Sequence, residues 1–410
     1  LRPFFRGESQ DSSGIVPSSS PFKGFFPEIE VQDFPIRGKS VYLRIKRRRW
    51  EAPSTGMTYS RDWNLVASGT RITSEFGAFL KELLDTHAVS CQSVADHYGL
   101  DGKQLQNQYK DHLSTYHDWD QLAHAEDYII YPKNIGYHLC IDETALSKGE
   151  LYTILINRDR KGRNGSIVAV IRGTKAEDVT RVLMLIAPGL RRMVKEVTLD
   201  MANSMQKIVR RCFPKALQVI DRFHVSKLVY EAVQDLRIAY RWQVMKDENK
   251  SIRESKAKGV PYEPEVFSNG DTLRQLLARS RYLLFKAPDK WTEKQKERAE
   301  ILFRQFPDLK DVYYYALRLG KIFTDYKDRD VARAKLALWY NEIEGYGYET
   351  FTTVANSIEN HYERILNYFV NRSTNAAAEA FNAKIKAFRA SFRGVVDMRF
   401  FLFRLANVYA

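Results

Sequence analysis

Residues 194–225 read VKEVTLDMANSMQKIVRRCFPKALQVIDRFHV, and this stretch constrains the fold more than any other. Val194–Leu199 and Ala216–Ile220 are short apolar runs rich in β-branched residues, and each ends in an acid, Asp200 or Asp221. Between them, Ser204–Cys212 places Met205, Ile208, Val209 and Cys212 at helical spacing and stops before Pro214. Strand, helix and strand in that length fit a parallel crossover. Two such strands present their acids at the carboxyl-end edge of a sheet, where open α/β sheets place ligands. Asp also closes strands for a plainer reason, because it opens turns. The stretch predicts a fold class and leaves the site open.

With 410 residues the chain is long enough for two to four domains. Its 64 Lys and Arg against 50 Asp and Glu leave a formal charge of +14, which favours a polyanionic partner. Nucleic acid comes first and an anionic membrane surface second. No apolar run approaches the roughly 20 residues of a membrane helix. Leu1–Gly7 lacks the apolar centre of a signal peptide, and the three cysteines are scattered (Cys91, Cys140, Cys212). Neither a disulfide framework nor a cysteine zinc site is expected, and the expected location is the cytoplasm.

Taken in order, residues 1–36 are rich in Ser, Pro, Gly and Phe without a sustained period and read as a loosely ordered arm. Lys39–Trp50 alternates like a strand and ends in four cations, Lys46, Arg47, Arg48 and Arg49, beside Trp50. Such a cluster suits phosphate contact, although charged edge strands also serve to block aggregation. Residues 74–112 read as a helix-turn-helix, with Thr73 or Ser74 capping a first helix and Ser90 a second that stops at Gly99. The third helix, Gly102–His112, turns Lys103, Gln104, Gln106, Asn107 and Lys110 outward, donors able to read base edges and phosphates. Three short helices with a Gly turn also occur in bundles that bind no DNA.

From Asn134 the period changes. Ile135–Ile141, Leu151–Asn157 and Ser166–Ile171 read as strands, and a helix over Ala176–Ile186 is broken by Pro188 and Gly189. The order is βββαβαβα. The first strand ends IDE, so Asp142 or Glu143 offers a further acid. A ribonuclease-H-like arrangement puts the first strand beside the fourth, which would set Asp142 next to Asp200. A helical region follows over 225–370, with Pro261, Pro264, Pro288 and Pro307 as breaks. Its aromatics (Tyr282, Phe285, Trp291, Phe303, Tyr313–Tyr315, Trp339, Tyr340) are expected in its core. The last clear helix, Thr374–Phe388, has Phe381, Ile385 and Phe388 on one face and Glu379, Asn382 and Lys386 on the other.

Asp142, Asp200 and Glu379 make a set of three carboxylates. Hard divalent cations take oxygen ligands, and two Mg²⁺ ions suit in-line displacement at a phosphodiester. Spacing alone is a weak signal in a chain with this many acids. Further residues carry a resemblance: IDETALSKGELYTILINRD, VTLDMANSM, LQVIDRFHV, SRYLLF followed by WTEKQ, and ILNYF, TNAAAEAFNAKIK and FRGVVDMRFFLFRL. In order and spacing these resemble the insertion-sequence transposases of the ISL-three family, from about Lys39 to the C-terminus. The resemblance implies a DDE transposase with Asp142, Asp200 and Glu379 as its catalytic, metal-binding triad. Asp221 and His224 match an Asp-x-x-His element near the site, giving His224 a phosphate or leaving-group contact or a structural hydrogen bond. Asn375 matches the helix-opening Asn, and Asn382 and Lys386 would face DNA. Two features depart from the family. The region RRRWEAPSTGMTYS holds no cysteine where members commonly carry a zinc ribbon, and Ala376 and Ala380 stand where glycines are usual.

The expected fold is therefore α/β (α+β), a ribonuclease-H-like catalytic core interrupted by an all-helical insertion. The expected division is an arm over 1–36, a degenerate ribbon-like basic module over 37–70 and a helix-turn-helix over 71–125. The core follows over 126–250, the insertion over 251–355, and the closing helices with the catalytic Glu over 356–410. Expected cofactors are two Mg²⁺ or Mn²⁺ ions, without zinc. Expected partners are double-stranded DNA, as terminal inverted repeats and target, and further copies of the chain as a dimer or larger assembly. No membrane is expected. Two rivals are a structure-selective endonuclease on the same fold and a domesticated, non-catalytic DNA-binding protein.

Overall fold

The computed structural model describes residues 4–5, 21–61, 63–147, 149–345 and 349–410. The chain divides into two units, one of Leu1–Gly136, Glu143–Ala187 and Ala378–Ala410, the other of Tyr137–Asp142 and Pro188–Ala377.

The first unit opens with short strands: β1 (Phe4–Phe5), β2 (Phe22–Phe25), β3 (Ile29–Ile36), β4 (Lys39–Ile45), β5 (Arg48–Glu51) and β6 (Thr58–Tyr59). They form two three-stranded sheets, in the orders β1-β4-β3 and β2-β5-β6. β3 and β4 are joined at Arg37 and Gly38, with φ of 52° and 72°. Two positive φ values in a two-residue loop match the right-handed twist of a hairpin. Alternation on β4 buries Val41, Leu43 and Ile45 against Val31. Residues 22–25 and 29–36, expected as part of an arm, are thus strand, β2 paired with β5 and β3 covering the apolar face of β4. Residues 1–3 and 6–20 of that expected arm lie outside the described residues.

Three helices follow, α1 (Ser74–Thr86), α2 (Cys91–Tyr98) and α3 (Gly102–Gln108), capped by the side chains of Thr73, Ser90 and Asp101. Gly99 ends α2 in the left-handed conformation, at φ 69°, that such a stop favours. A wide turn over Tyr109–Leu113 prolongs α3. Phe76, Leu80, Leu84, Val94, Leu105 and Tyr109 pack together, and Phe400 and Phe403 of the last helix complete their core.

A mixed six-stranded sheet uses β7 (Tyr128–Ile130), β8 (His138–Ser147), β9 (Glu150–Asn157), β10 (Ile167–Arg172), β11 (Glu196–Leu199) and β12 (Leu217–Ile220). Their order is β12-β11-β8-β9-β10-β7. In the first unit β10 pairs antiparallel with β9 and β7. In the second, β11 pairs parallel with both β8 and β12. β8 itself passes from one unit to the other after Asp142. It runs on to Ser147 instead of ending at the IDE segment, because Thr144 and Leu146 continue its buried alternation.

Around the sheet lie α4 (Ala176–Leu183), α5 (Pro188–Met193), α6 (Asn203–Cys212) and the 36-residue α7 (Arg222–Ala257). Pro188 opens α5 where the sequence predicted only a break, since a first-turn proline gives up an N–H that has no partner anyway. Pro307 does the same for the helix that it begins. The helices α8 (Leu273–Arg279), α9 (Glu293–Gln305), α10 (Pro307–Asp325), α11 (Arg329–Glu344), α12 (Glu349–Asn360), α13 (Tyr362–Leu366) and α14 (Tyr368–Asn371) complete the second unit. They share one core with Val219 and Ile220 of β12 and Val225 and Val229 of α7. Tyr313, Tyr315 and Trp339 are buried there as expected, whereas Tyr282, Phe285 and Tyr314 are exposed. The chain closes with α15 (Ala376–Ser391) and α16 (Met398–Tyr409). No helix of the described residues is long and apolar enough to cross a membrane.

Candidate active site

The register of the parallel strands sets the geometry. Thr198 of β11 stands opposite Cys140 of β8, and its Oγ1 lies 2.7 Å from Cys140 Sγ. Side chains two residues apart in a strand share a face. Asp142 and Asp200, each two residues further on, therefore follow Cys140 and Thr198 on that same face at adjacent positions. Leu199 stands opposite Ile220, so Asp221 comes next in the row. Neighbouring strands are about 4.8 Å apart, the spacing at which carboxylates on adjacent strand ends suit a shared cation.

The three acids are held differently. Asp142 and Asp200 are half-buried. Asp200 Oδ1 accepts from the Ala202 N–H at 2.8 Å, closing the turn into α6. Asp221 is 2 % exposed and caps α7, its Oδ1 accepting from the Phe223 N–H at 3.3 Å. His224, half-buried in the first turn of α7, donates its backbone N–H to the Asp221 carbonyl at 3.1 Å, and its ring meets Phe223 edge-on.

A second link ties the approach to α15 onto β11. Asn375 is fully buried, and its Oδ1 lies 3.2 Å from Thr198 Oγ1. Four residues earlier, Asn371 Nδ2 donates to the buried Glu196 at 2.8 Å. Neither Thr198 nor Glu196 announced itself in the sequence. Beside Asp200, a cleft of ≈ 610 Å³ is lined by Met201, Asn203, Gln206, Asn360, His361 and Arg364, among others. Gln206 Nε2 lies 3.3 Å from the buried His361 Nδ1, which Arg364 Nη1 approaches at 3.4 Å. These polar residues also escaped the sequence reading, for want of a motif.

Glu379 is exposed in the first turn of α15, in the first unit. There α15 buries Ala378, Phe381, Ile385 and Phe388, with Phe381 against Tyr409 and Phe388 against Phe401. Lys384 Nζ donates to the Gly162 carbonyl at 2.9 Å, and Arg389 Nη1 to those of Ala145 and Leu146 at 3.1 and 3.3 Å. Lys386 is exposed, as expected. Asn382 is not, at 8 % exposure. It follows Ala378 by one turn, which puts it on the flank of the buried stripe. Among the described residues, no group of three or more His, Cys, Asp or Glu lies close enough to hold a metal. The oxygen donors of Asp142 and Asp200 nonetheless fit a hard divalent cation, with one oxygen of Asp200 outside its turn bond.

The expected nucleic-acid contacts are also distributed. Lys46 and Arg47 connect β4 to β5, and Arg48 and Arg49 begin β5. Lys46 pairs with Glu28 at 3.7 Å, Arg48 lies over Phe22, and Arg49 donates to the Lys23 carbonyl. On α3, Lys103, Gln104, Gln106 and Asn107 are exposed. Lys110 turns inward instead, pairing with Asp397 at 2.7 Å and lying over the Tyr116 and Phe400 rings. That hydrogen bond to Asp397 raises its pKa. The wide turn after α3 changes the helical phase, so Lys110 no longer shares the face of Lys103.

The family model for DDE transposases of the ISL-three type, described as a transposase, matches residues 139–405. The chain belongs to that family. The match takes in Asp142, Asp200 and Glu379, the helical region and most of α16. DNA is the substrate of this transposase, and its chemistry is of the nuclease type. A comparison with curated proteins finds no match.

Proposed function

We propose that this transposase binds the terminal inverted repeats of an insertion sequence, hydrolyses phosphodiesters at its ends and joins the freed 3′-hydroxyls to target DNA. The observation that supports the reading is the register between β8 and β11, whose paired residues Cys140 and Thr198 each stand two positions before an acid, Asp142 and Asp200. Glu379, at the start of α15, is the third acid that the family resemblance implies. The strand order, with β8 beside β11 and β9, supports a ribonuclease-H-like core, and the helices from α8 onward serve as its insertion.

Asp142, Asp200 and Glu379 hold two Mg²⁺ or Mn²⁺ ions, which supply Lewis acidity at the reacting phosphate when bound. Asp142 and Asp200 orient that phosphate at the sheet edge, and water or a DNA hydroxyl is the nucleophile, so no bond forms between protein and DNA. The capped helices α1–α3 act as a helix-turn-helix, with Lys103, Gln104, Gln106 and Asn107 on the reading face. Lys46–Arg49 and Lys386 add phosphate contacts. The β-rich module over 37–70 works without zinc. Activity requires at least two copies, because two ends must be joined together.

The test is cleavage and strand transfer on a labelled duplex carrying the element's end, with Mg²⁺ or Mn²⁺. Asp142→Asn, Asp200→Asn and Glu379→Gln should each lose about 10³-fold or more in both steps while keeping DNA binding. Cleavage without joining by the unaltered protein would replace this reading with a structure-selective endonuclease.

A further inference from the structure

Arginines gather where α7 meets α8, and they fall into two groups. Arg274 pairs with Glu248 at 3.3 Å, and Arg279 and Arg298 together hold the buried carboxylate of Asp271. Arg237, Arg241 and Arg281 have no carboxylate partner among the described residues. Arg237 is 5 % exposed; its Nε donates to Gln234 Oε1 at 2.7 Å and its Nη1 to the Leu277 carbonyl at 2.9 Å, both neutral acceptors. Arg241 lies one turn further along α7, its Nε buried and without a hydrogen bond. The Arg281 carbonyl accepts from Gln234 Nε2 at 3.2 Å, which brings that residue to the same place.

Burial, followed by the nearby charges of Arg241 and Arg281, lowers the pKa of Arg237. Of the five acids on α7, Glu231 pairs with Lys227, Asp247 accepts from Gln243 and Glu248 pairs with Arg274, while Asp235 and Glu254 form no ion pair with these arginines among the described residues. Three like charges brought together with no counter-charge are unfavourable unless an anion joins them. Guanidinium groups match phosphate oxygens in pairs. Two large aromatics stand out beside them, Trp242 at 65 % exposure next to Arg241 and Tyr282 at 68 % under the Arg281 guanidinium.

We infer that Arg237, Arg241 and Arg281 form a DNA-phosphate site on the helical part of the transposase, separate from the carboxylate edge. Asp221, which caps α7, stands in the row of strand-end acids, and Arg237 follows sixteen residues later. At 1.5 Å per residue that is about 24 Å along the helix, or about seven base steps of a duplex. The site thus grips the backbone of DNA flanking the reacting phosphate. This rests on the proposed function only in placing the reacting phosphate at the strand-end acids.

The test uses the full chain and an end-bearing duplex, with affinity measured against salt and phosphates mapped by ethylation interference. Arg241→Gln/Arg281→Gln should lower the salt slope by about two and affinity about tenfold or more. It should also erase interference about seven base steps from the cleaved bond. Arg241→Lys/Arg281→Lys should keep the slope, and Arg274→Gln, which breaks a paired arginine nearby, should leave slope and interference unchanged. Equal slopes and interference for the Gln pair and the unaltered protein would overturn the inference, as would an equal loss in Arg274→Gln. An unaltered protein that fails to bind the duplex would overturn the proposed function as well.

Discussion

Thr198 Oγ1 lies 3.2 Å from Asn375 Oδ1 and 2.7 Å from Cys140 Sγ, so one hydroxyl joins the strand of Asp142, the strand of Asp200 and the residue before α15. A hydroxyl has one proton to offer several acceptors, yet removing it leaves the Asn375 amide buried with nothing to bond. Thr198→Val should therefore destabilise the protein by about 1–3 kcal/mol and lower the cleavage rate with little change in DNA affinity. Melting temperature, single-turnover rate and binding, measured together, separate this positioning role from a loss of fold; an unchanged rate would refute it.

Asp221 serves α7 as a cap, and Asn caps helices as well as Asp does. Asp221→Asn should keep the melting temperature, whereas Asp221→Ala should lose about 1 kcal/mol or more. If the Asn variant melts normally and no longer cleaves, the Asp221 charge takes part in the reaction.

Asp271 anchors α8 to α9. Burial alone would raise its pKa, but hydrogen bonds from Arg298 and Arg279 outweigh this and hold it below the ordinary carboxylate value. A depressed folded-state pKa stabilises the protein above the unfolded value, near 4, and that contribution fades as pH falls through the folded value. Asp271→Asn should thus be less stable at neutral pH, by about 3 kcal/mol, with the gap to the unaltered protein closing below about pH 4. Denaturant titrations across pH 3–7 would show it; a gap that widens in acid would contradict the assignment.

Lys103, on α3, and Lys110, in the wide turn after it, should behave differently. Lys103→Ala should reduce the salt slope of DNA binding by about one without altering stability. Lys110→Ala breaks its pair with Asp397 and should lower the melting temperature while leaving that slope alone. The reverse pattern would move the DNA-facing side of α3 to the other residue.

The crossover from β11 through α6 to β12 was legible because its apolar runs are short, β-branched and closed by acids. The position of β8 beside β11 followed from strand order. What escaped the sequence depends on partners far along the chain. The inward turn of Lys110 is decided by Asp397, and the burial of Thr198 by Asn375. The strands over 22–25 and 29–36 hide behind Pro27, Pro35 and several Phe residues, and only their pairing with β5 and β4 calls for them. The exposed Tyr282 and Trp242 could not be told from core aromatics by composition, because exposure is a property of the packed helices.

The core of α1–α3 is finished by Phe400 and Phe403, and the buried Arg404 donates to the carbonyls of Leu84 and Val89 at 2.8 and 2.9 Å. These groups are synthesised long after those helices. At about 5–20 residues per second, the nascent chain spends on the order of 15–60 s with those helices made but unsealed. A transposase truncated before α16 is denied a finished core for α1–α3. Completion of α16 is thus a condition for a stable α1–α3 module.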